Sequence, residues 1–259
     1  MRRRAGIAAT AVAIALIATA LAHGEVRQLG DLRVSFNGGF APQALPRDRA
    51  VPVTLSVDGR ISTTDGSHPP SLRRFELEFN RAGKITTVGL ATCSAPQLQS
   101  TTSAEALAQC RPALVGEGSF AADVTASDNP IPARGRILVF NTESRGKPAL
   151  LLHLYGTVPI QVTIVLPLEI QRLAQGKFGT RMVTPVPKLA GGIAAITNLS
   201  LDVGRTYTYR GKRLGYLSAS CAAPAGFPGA PFPFARASFR FADERVLTIA
   251  LTRNCKVRD

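Results

Sequence analysis

The segment LRRFELEF, residues 72–79, indicates the structural class of this chain. Within it, Phe75 and Leu77 alternate with Glu76 and Glu78. Because successive side chains of a β-strand point to opposite faces of its sheet, this period of two predicts a strand with one apolar and one polar face. The neighbouring arginines indicate that the glutamates form cross-strand ion pairs on a solvated face, and are not the carboxylate pair of a glycosidase.

The same β pattern extends along most of the chain. Segments of strand length recur between Gly, Pro, Asn and Asp residues, and include VPVTLSVDGRIS (51–62), RILVF (136–140), ALLLHLYG (149–156), IQVTIVLPL (160–168), AAITNLSLDVG (194–204) and RVLTIALTRNC (245–255). Asp58-Gly59 is a hairpin signal. The clearest helix signal is the capping-box spacing of Thr102 and Glu105. We predict an all-β, antiparallel β-sandwich-like fold with few short helices.

The most apolar part of the chain after its N-terminus is residues 149–170. Pro159, Pro167 and His153, together with many β-branched residues, argue against a membrane-spanning helix. We predict two consecutive buried strands that are joined near Gly156.

The N-terminus predicts export from the cell. Three arginines precede an uncharged apolar run that ends at Ala20-Leu21-Ala22, which places small residues at the −3 and −1 positions of a cleavage site. Residues 1–22 are therefore predicted to be a cleaved secretory signal peptide. This predicts that the mature protein is secreted or resides in the cell envelope.

Four cysteines follow: Cys93, Cys110, Cys221 and Cys255. An even number in an exported chain predicts disulfides, for which three pairings exist. We favour the local pairs Cys93–Cys110 and Cys221–Cys255, whose loops would contribute about 3 and 4 kcal/mol to stability. The sequence contains no C-x-x-C and no histidines at ligand spacing, so we predict no metal site.

A short internal similarity bears on domain organisation. ATCSAP (91–96) is similar to ASCAAP (219–224), and this similarity is explained equally by duplication of a β module and by chance in an alanine-rich chain. We predict two tandem modules, residues 23–133 with Cys93–Cys110 and residues 134–259 with Cys221–Cys255.

The segments CRPALVG (110–116) and GYLSASC (215–221), with the four cysteines, carry a resemblance that covers most of the chain. In these features the chain resembles a family of exported, disulfide-containing, β-rich proteins of high-GC Gram-positive bacteria. The resemblance implies export and disulfides. It implies no activity and no site residues.

Catalytic and cofactor motifs are absent from the sequence. It has no G-x-S-x-G, H-E-x-x-H, P-loop or dinucleotide fingerprint, so we predict no catalytic residues and no cofactor. Of the three histidines, His153 lies in an apolar strand and is predicted to be a structural residue. The absence of tryptophan argues against stacking on sugar rings.

The net charge of +14 predicts attraction to an anionic cell-wall polymer or a membrane surface. No basic cluster is interleaved with aromatic residues, so nucleic acid is not an expected partner. The charge carries no information on oligomeric state.

The segment FPGAPFPFARASF (227–239) combines four phenylalanines with three prolines. Because proline cannot donate to a β ladder, we predict that a regular strand begins only at Ala235. The phenylalanines before it either cover the end of the sheet or contact a ligand. Together with the hairpin TYTYRGKR they give the candidate surface contacts Phe227, Phe232, Phe234, Tyr207, Tyr209, Lys212 and Arg213.

Three functional hypotheses are compatible with these features. The first is an exported, non-enzymatic binding or structural protein of the cell envelope or extracellular space. The alternative is a carrier of lipid or another apolar ligand in a β cavity. The third is a secreted hydrolase.

Overall fold

The computed structural model describes residues 25–125 and 130–258. The signal peptide predicted at residues 1–22 lies outside the described residues. Within the described ranges, no helix has the length and apolar character needed to cross a membrane.

Strands make up most of the described chain. They are β1 (Glu25–Leu29), β2 (Leu32–Ala41), β3 (Ala44–Leu45), β4 (Val51–Pro52), β5 (Thr54–Thr63), β6 (Leu72–Asn80), β7 (Gly83–Ile85), β8 (Leu114–Val124), β9 (Ile131–Ser144), β10 (Lys147–Val158), β11 (Val162–Arg172), β12 (Phe178–Pro185), β13 (Ala194–Val203), β14 (Thr206–Tyr209), β15 (Lys212–Gly215), β16 (Leu217–Ala219), β17 (Gly229–Phe241) and β18 (Val246–Val257). The helices are α1 (Ala95–Leu98) and α2 (Ser103–Cys110), with 3₁₀ turns at Arg111–Ala113 and Leu189–Gly192.

Thirteen of these strands form one large sheet, in the order β1-β2-β5-β13-β8-β9-β10-β11-β12-β6-β17-β18-β3. Its pairings are antiparallel except for the short contact between β18 and β3. The sheet curls until β18 lies against β1 and β2, so its two halves face each other across an apolar interior. The predicted all-β, sandwich-like fold with few short helices is confirmed.

Side chains join the two ends of the curled sheet. Arg245, between β17 and β18, places Nη1 2.6 Å from Oδ1 of Asp31, in the turn between β1 and β2. Further along β18, Arg253 Nε donates to the carbonyl oxygen of Gly38 over 2.6 Å, and its Nη2 donates to Asn37 Oδ1 over 2.7 Å. These arginines connect β18 to the β1–β2 hairpin where no strand ladder does.

The sheet does not follow the predicted division into two modules. β5 pairs with β13, β8 lies between β13 and β9, and β6 lies between β12 and β17. Strands from residues 23–133 and 134–259 therefore interleave in one sheet, and the prediction of two tandem modules is wrong. The physical reason is that a central strand needs partners on both edges, and these partners come from distant parts of the chain.

Two local strand predictions are also corrected. The Asp58-Gly59 hairpin signal is overridden, because β5 continues through it with Asn37 and Phe36 as partners on β2. The proline-rich segment belongs to β17 from Gly229 onward, and this strand pairs with β18 from Gly229 but with β6 only from Ala235. The prolines therefore lie where the strand has a single partner, which is the position that tolerates a missing N–H.

The apolar stretch 149–170 folds as predicted into two consecutive strands, β10 and β11. Their connection is residues 159–161, slightly later than the predicted junction near Gly156. On the outer face of β9 and β10 lies a helical cap formed by α1 and α2, which we define as residues 91–113. Leu98 and Ala106 of this cap pack against Phe140 and Leu151.

Candidate functional site

Between the facing halves of the sheet lies an apolar cavity of about 180 Å³. Its walls come from the inward faces of many strands, among them Phe75 and Phe79 of β6 and Leu150, Leu152 and Leu154 of β10. The period-two pattern of these strands produces this arrangement, because every second side chain turns toward the interior. The interior surface consists almost entirely of carbon atoms.

Aromatic side chains form one side of the cavity wall. The ring of Phe40 lies 5.7 Å from that of Phe232 and 5.9 Å from that of Phe234, and Phe75 lies 5.2 Å from Phe239. Centroid separations in this range are those of favourable aromatic pairs. Phe232, Phe234 and Phe239 of the FPGAPFPFARASF segment therefore belong to the cavity wall.

This packing corrects part of the predicted surface-contact set. Phe234 is buried in the core, and Phe232 is partly buried against the same core. Neither displays its ring to solvent. Phe227, by contrast, is 60 % exposed, as expected for a surface contact.

In the hairpin formed by β14 and β15, the polar residues at the tip are exposed to solvent, whereas the tyrosines contact another part of the protein. Tyr207 Oη donates to the carbonyl oxygen of Val88 over 2.9 Å. The ring of Tyr209 lies so close to Gly89 that a Cβ there would come within 2.2 Å of it. The two tyrosines thus pack against the loop that contains Val88 and Gly89, whereas Lys212 and Arg213 are exposed.

A three-stranded sheet, in the order β4-β16-β7, lies at one end of the cavity. Ile85 and Leu217 from this small sheet line the cavity together with polar residues at its rim, among them Asn80, Lys84 and Ser218. β7 is the last strand of this sheet, so within the described ranges its other edge has no strand partner.

Beyond that edge lies a solvent-exposed groove of about 970 Å³. We call it the cationic groove, because among the described residues five basic side chains and one acidic residue, Glu169, line it; the basic residues are Arg81, Lys84, Arg145, Lys147 and Arg172. The groove and the cavity adjoin, since Gly83, Lys84, Ile85 and Thr180 line both.

The sequence did not indicate this groove. Its cations come from the β6–β7 connection and β7, from the β9–β10 turn and the start of β10, and from the end of β11, which are far apart in the chain. Each basic residue is an ordinary surface charge in its own segment. Only the pairing of the strands brings them to one end of the sheet.

Both predicted disulfides are confirmed. Cys93–Cys110 and Cys221–Cys255 each have a Cα–Cα distance of 5.7 Å. The first closes the helical cap on the outer face of the sheet, and the second ties the segment after β16 to β18. In the part of the chain that the structure describes, no cysteine is free.

The glutamates of β6 form the predicted cross-strand ion pairs, but one of them is buried. Glu78 is only 4 % exposed, and accepts hydrogen bonds from Arg181 Nε over 2.8 Å and Arg236 Nε over 2.7 Å. Glu76 pairs with Arg74 of the same strand over 2.6 Å, and its cross-strand partner is Arg181 of β12, whose Nε lies 3.9 Å from Glu76 Oε2. Two guanidinium groups, one from each neighbouring strand, thus hold the Glu78 carboxylate. This pairing explains why a carboxylate is buried here.

His153 lies beneath the helical cap and is fully buried. Its pKa is lowered below the ordinary histidine value because burial disfavours the charged ring. The predicted structural role is consistent with this position. Among residues 25–125 and 130–258, no cluster of three or more His, Cys, Asp or Glu side chains that could hold a metal ion occurs.

In comparisons with known proteins, no family model, curated protein or solved structure matches this chain. The resemblance to exported proteins of high-GC Gram-positive bacteria stays a prediction. The class of protein is therefore inferred from the geometry of the cavity and the groove.

Proposed function

We propose that this protein is an exported binding protein that holds an apolar molecule inside its curled sheet. The observation that carries the proposal is the cavity of about 180 Å³ between the two halves of the sheet. Among the three functional hypotheses, this geometry favours the carrier of an apolar ligand.

The dimensions and lining of the cavity suit such a ligand. An engineered cavity of about 150 Å³ with a comparable aliphatic and aromatic lining stays dry and binds benzene. The present cavity is slightly larger, and its surface offers few polar atoms to hold water. It therefore has room for an aromatic ring or a segment of an alkyl chain.

The energetic cost of an empty cavity also supports a ligand. At about 24 cal/mol per Å³, an unfilled space of this size would cost roughly 4 kcal/mol of packing energy. That is a large share of the net stability of a typical domain. A bound apolar molecule would recover much of this loss.

Export and the location of the protein belong to the same proposal. Two disulfides are compatible with an oxidising extracellular compartment, and the predicted signal peptide supports the same route. A non-enzymatic role and attraction to an anionic cell-wall polymer or membrane surface stay predictions.

The direct test is binding of a neutral apolar probe to the full disulfide-bonded chain recovered after export. We expect calorimetric titration with 1-decanol to show saturable binding of one molecule per chain, together with a higher thermal midpoint. Native mass spectrometry of the same preparation would detect apolar molecules that copurify. No binding of decanol and no copurified molecule would contradict the proposal.

A further inference from the structure

We infer that the ligand is an anionic amphiphile, with its apolar chain in the cavity and its carboxylate or phosphate headgroup in the cationic groove. This inference rests on the proposed function and narrows it to one chemical class. It is carried by the adjacency of the cavity and the groove and by the charges at their boundary.

The two spaces meet at β7. Ile85 packs against the core that surrounds the cavity, while the neighbouring Lys84 is exposed and lines both spaces. Thr180 of β12 lines both spaces as well. Because β7 pairs with β16 and, among the strands that the structure describes, has no partner on its other edge, an alkyl chain that leaves the cavity along that edge arrives beside Lys84.

The charged side chains that line the groove are mostly positive. Within the described chain, Lys84, Arg145, Lys147 and Arg172 form no ion pair with a carboxylate, although Glu169 also lines the groove. These four cations are therefore available to an external anion.

The backbone presents the cations in defined positions. Arg145 and Gly146 have φ values of 52° and 72°, as in the tight type I′ turn that joins β9 to β10, and Lys147 follows directly. Arg81 is held by hydrogen bonds that its Nε and Nη2 donate to the carbonyl oxygens of Gly176 and Phe178, over 3.1 and 3.2 Å. It forms a fixed part of the groove wall.

A carboxylate or phosphate matches this arrangement better than a neutral headgroup. A concave surface that is lined by one sign of charge focuses the electrostatic potential on the space within it. Hydrogen bonds from guanidinium or ammonium groups to an anionic oxygen are shorter and stronger than those to a neutral oxygen. The apolar chain would supply binding energy in the cavity, and the headgroup would supply selectivity.

The test compares ligands that share one alkyl chain and differ in their headgroup. Decanoate, decyl phosphate and 1-decanol are titrated into the full disulfide-bonded chain, with acetate and inorganic phosphate as headgroup controls. We expect at least one of the two anionic amphiphiles to bind about tenfold more tightly than decanol at low salt, and this preference to shrink as salt is added. The tighter of the two identifies the headgroup.

The outcomes separate the two proposals. If decanol binds as tightly as decanoate and decyl phosphate, the anionic headgroup is wrong and the apolar-ligand function stands. If no decyl compound binds, both are wrong. If acetate or inorganic phosphate binds as tightly as its decyl counterpart, the groove acts without the cavity, and the amphiphile is again wrong.

Variants locate the headgroup. Lys84→Met keeps an unbranched side chain and removes the charge, and we expect it to reduce the ratio of the affinity for the anionic ligand to the affinity for decanol several-fold. Lys256→Met is the matched control, since Lys256 is exposed on β18 and lines neither space. Undiminished preference in both Lys84→Met and the combined Arg145→Gln, Lys147→Gln and Arg172→Gln variant would overturn the inference.

Discussion

The Nε2 atom of His153 lies 3.0 Å from the carbonyl oxygen of Thr101, beneath the helical cap on strands β9 and β10. Nε2–H donates to this oxygen, which also accepts a hydrogen bond from Thr163 Oγ1 over 2.7 Å. Nδ1 is buried and has no hydrogen-bond partner in the described protein. The neutral ring fits this site, whereas a second proton on Nδ1 would be buried without a partner.

This geometry predicts a pH dependence of stability. Burial lowers the pKa of His153 below about 6.5, its value in the unfolded chain, so the unfolded state binds more protons between these two pKa values. The contribution of His153 to the free energy of unfolding is therefore fully present above pH 6.5 and is lost as the pH falls through the folded pKa. Urea unfolding at several pH values from 5 to 7.5 measures it.

His153→Gln provides the comparison for this prediction, because glutamine can donate to Thr101 and cannot titrate. We expect the variant to show a shallower decline of unfolding free energy between pH 7 and pH 5 than the wild-type protein. Identical pH profiles would show that His153 does not contribute to acid sensitivity.

The second disulfide is predicted to stabilise the end of β18. Replacing both Cys221 and Cys255 with serine removes the link between β18 and the segment after β16, and should cost about 4 kcal/mol through the entropy of the unfolded chain. We expect the thermal midpoint to fall by several degrees, as measured by calorimetry. The double replacement of Cys93 and Cys110, which closes a shorter loop, should cost slightly less, about 3 kcal/mol.

Peptide mapping under non-reducing conditions provides the matching chemical test. A link from Cys93 to Cys221 or Cys255 would contradict the pairing. An unchanged thermal midpoint in the Cys221 and Cys255 double variant would contradict its predicted contribution to stability.

The buried carboxylate of Glu78 is predicted to matter more than an exposed one. Glu78→Gln leaves Arg181 and Arg236 facing a neutral side chain, and we expect a loss of about 1–3 kcal/mol in the free energy of unfolding. Glu117→Gln is the control, because Glu117 also pairs with an arginine but its side chain is 58 % exposed. Exposed pairs contribute little, so this control should be nearly neutral.

Chemical denaturation of the two glutamine variants measures the difference. Equal effects of the two substitutions would mean that burial does not strengthen the Glu78 network. Partial restoration of stability when Arg181 is also replaced by glutamine would identify the unpaired guanidinium as the source of the loss.

The cavity itself can be tested by filling it. Leu152 lines the cavity, and Leu152→Phe adds volume where space exists, so we expect stability to be retained and decanol binding to weaken by about tenfold. Leu152→Met conserves volume and should bind like the wild-type protein. A calorimetric titration of each folded variant distinguishes them, and full decanol affinity in Leu152→Phe would place the binding site elsewhere.

Local patterns predicted the fold class well because they depend on neighbouring residues. Alternation in LRRFELEF predicted a strand, and β6 spans Leu72–Asn80. The Thr102 and Glu105 spacing predicted a helix start, and their reciprocal hydrogen bonds cap α2. The prediction of Asp58-Gly59 as a turn was wrong because β2 and β13 flank β5 on both edges, which a local pattern does not reveal.

The candidate site could be predicted less well from the sequence than the fold class. A β cavity was an alternative hypothesis, but no sequence pattern reports whether inward-facing side chains fill the space between the two halves of a sheet. The sequence leaves open whether the phenylalanines of the proline-rich segment cover the end of the sheet or contact a ligand at the surface, and in the structure Phe232 and Phe234 belong to the cavity wall. Their burial depends on packing against Phe40, which lies far away in the chain.

The sequence by itself determined that the chain forms strands and which of their faces are apolar, because periodicity acts over short separations, and it favoured the local cysteine pairs among the three possible pairings. Only the tertiary structure decided the order of the strands, the merging of the two predicted modules into one sheet, and the meeting of Lys84, Lys147 and Arg172 beside the cavity. These features depend on pairing between distant strands. Such pairing is selected by the packing of the whole sheet, since each backbone edge can accept many partners.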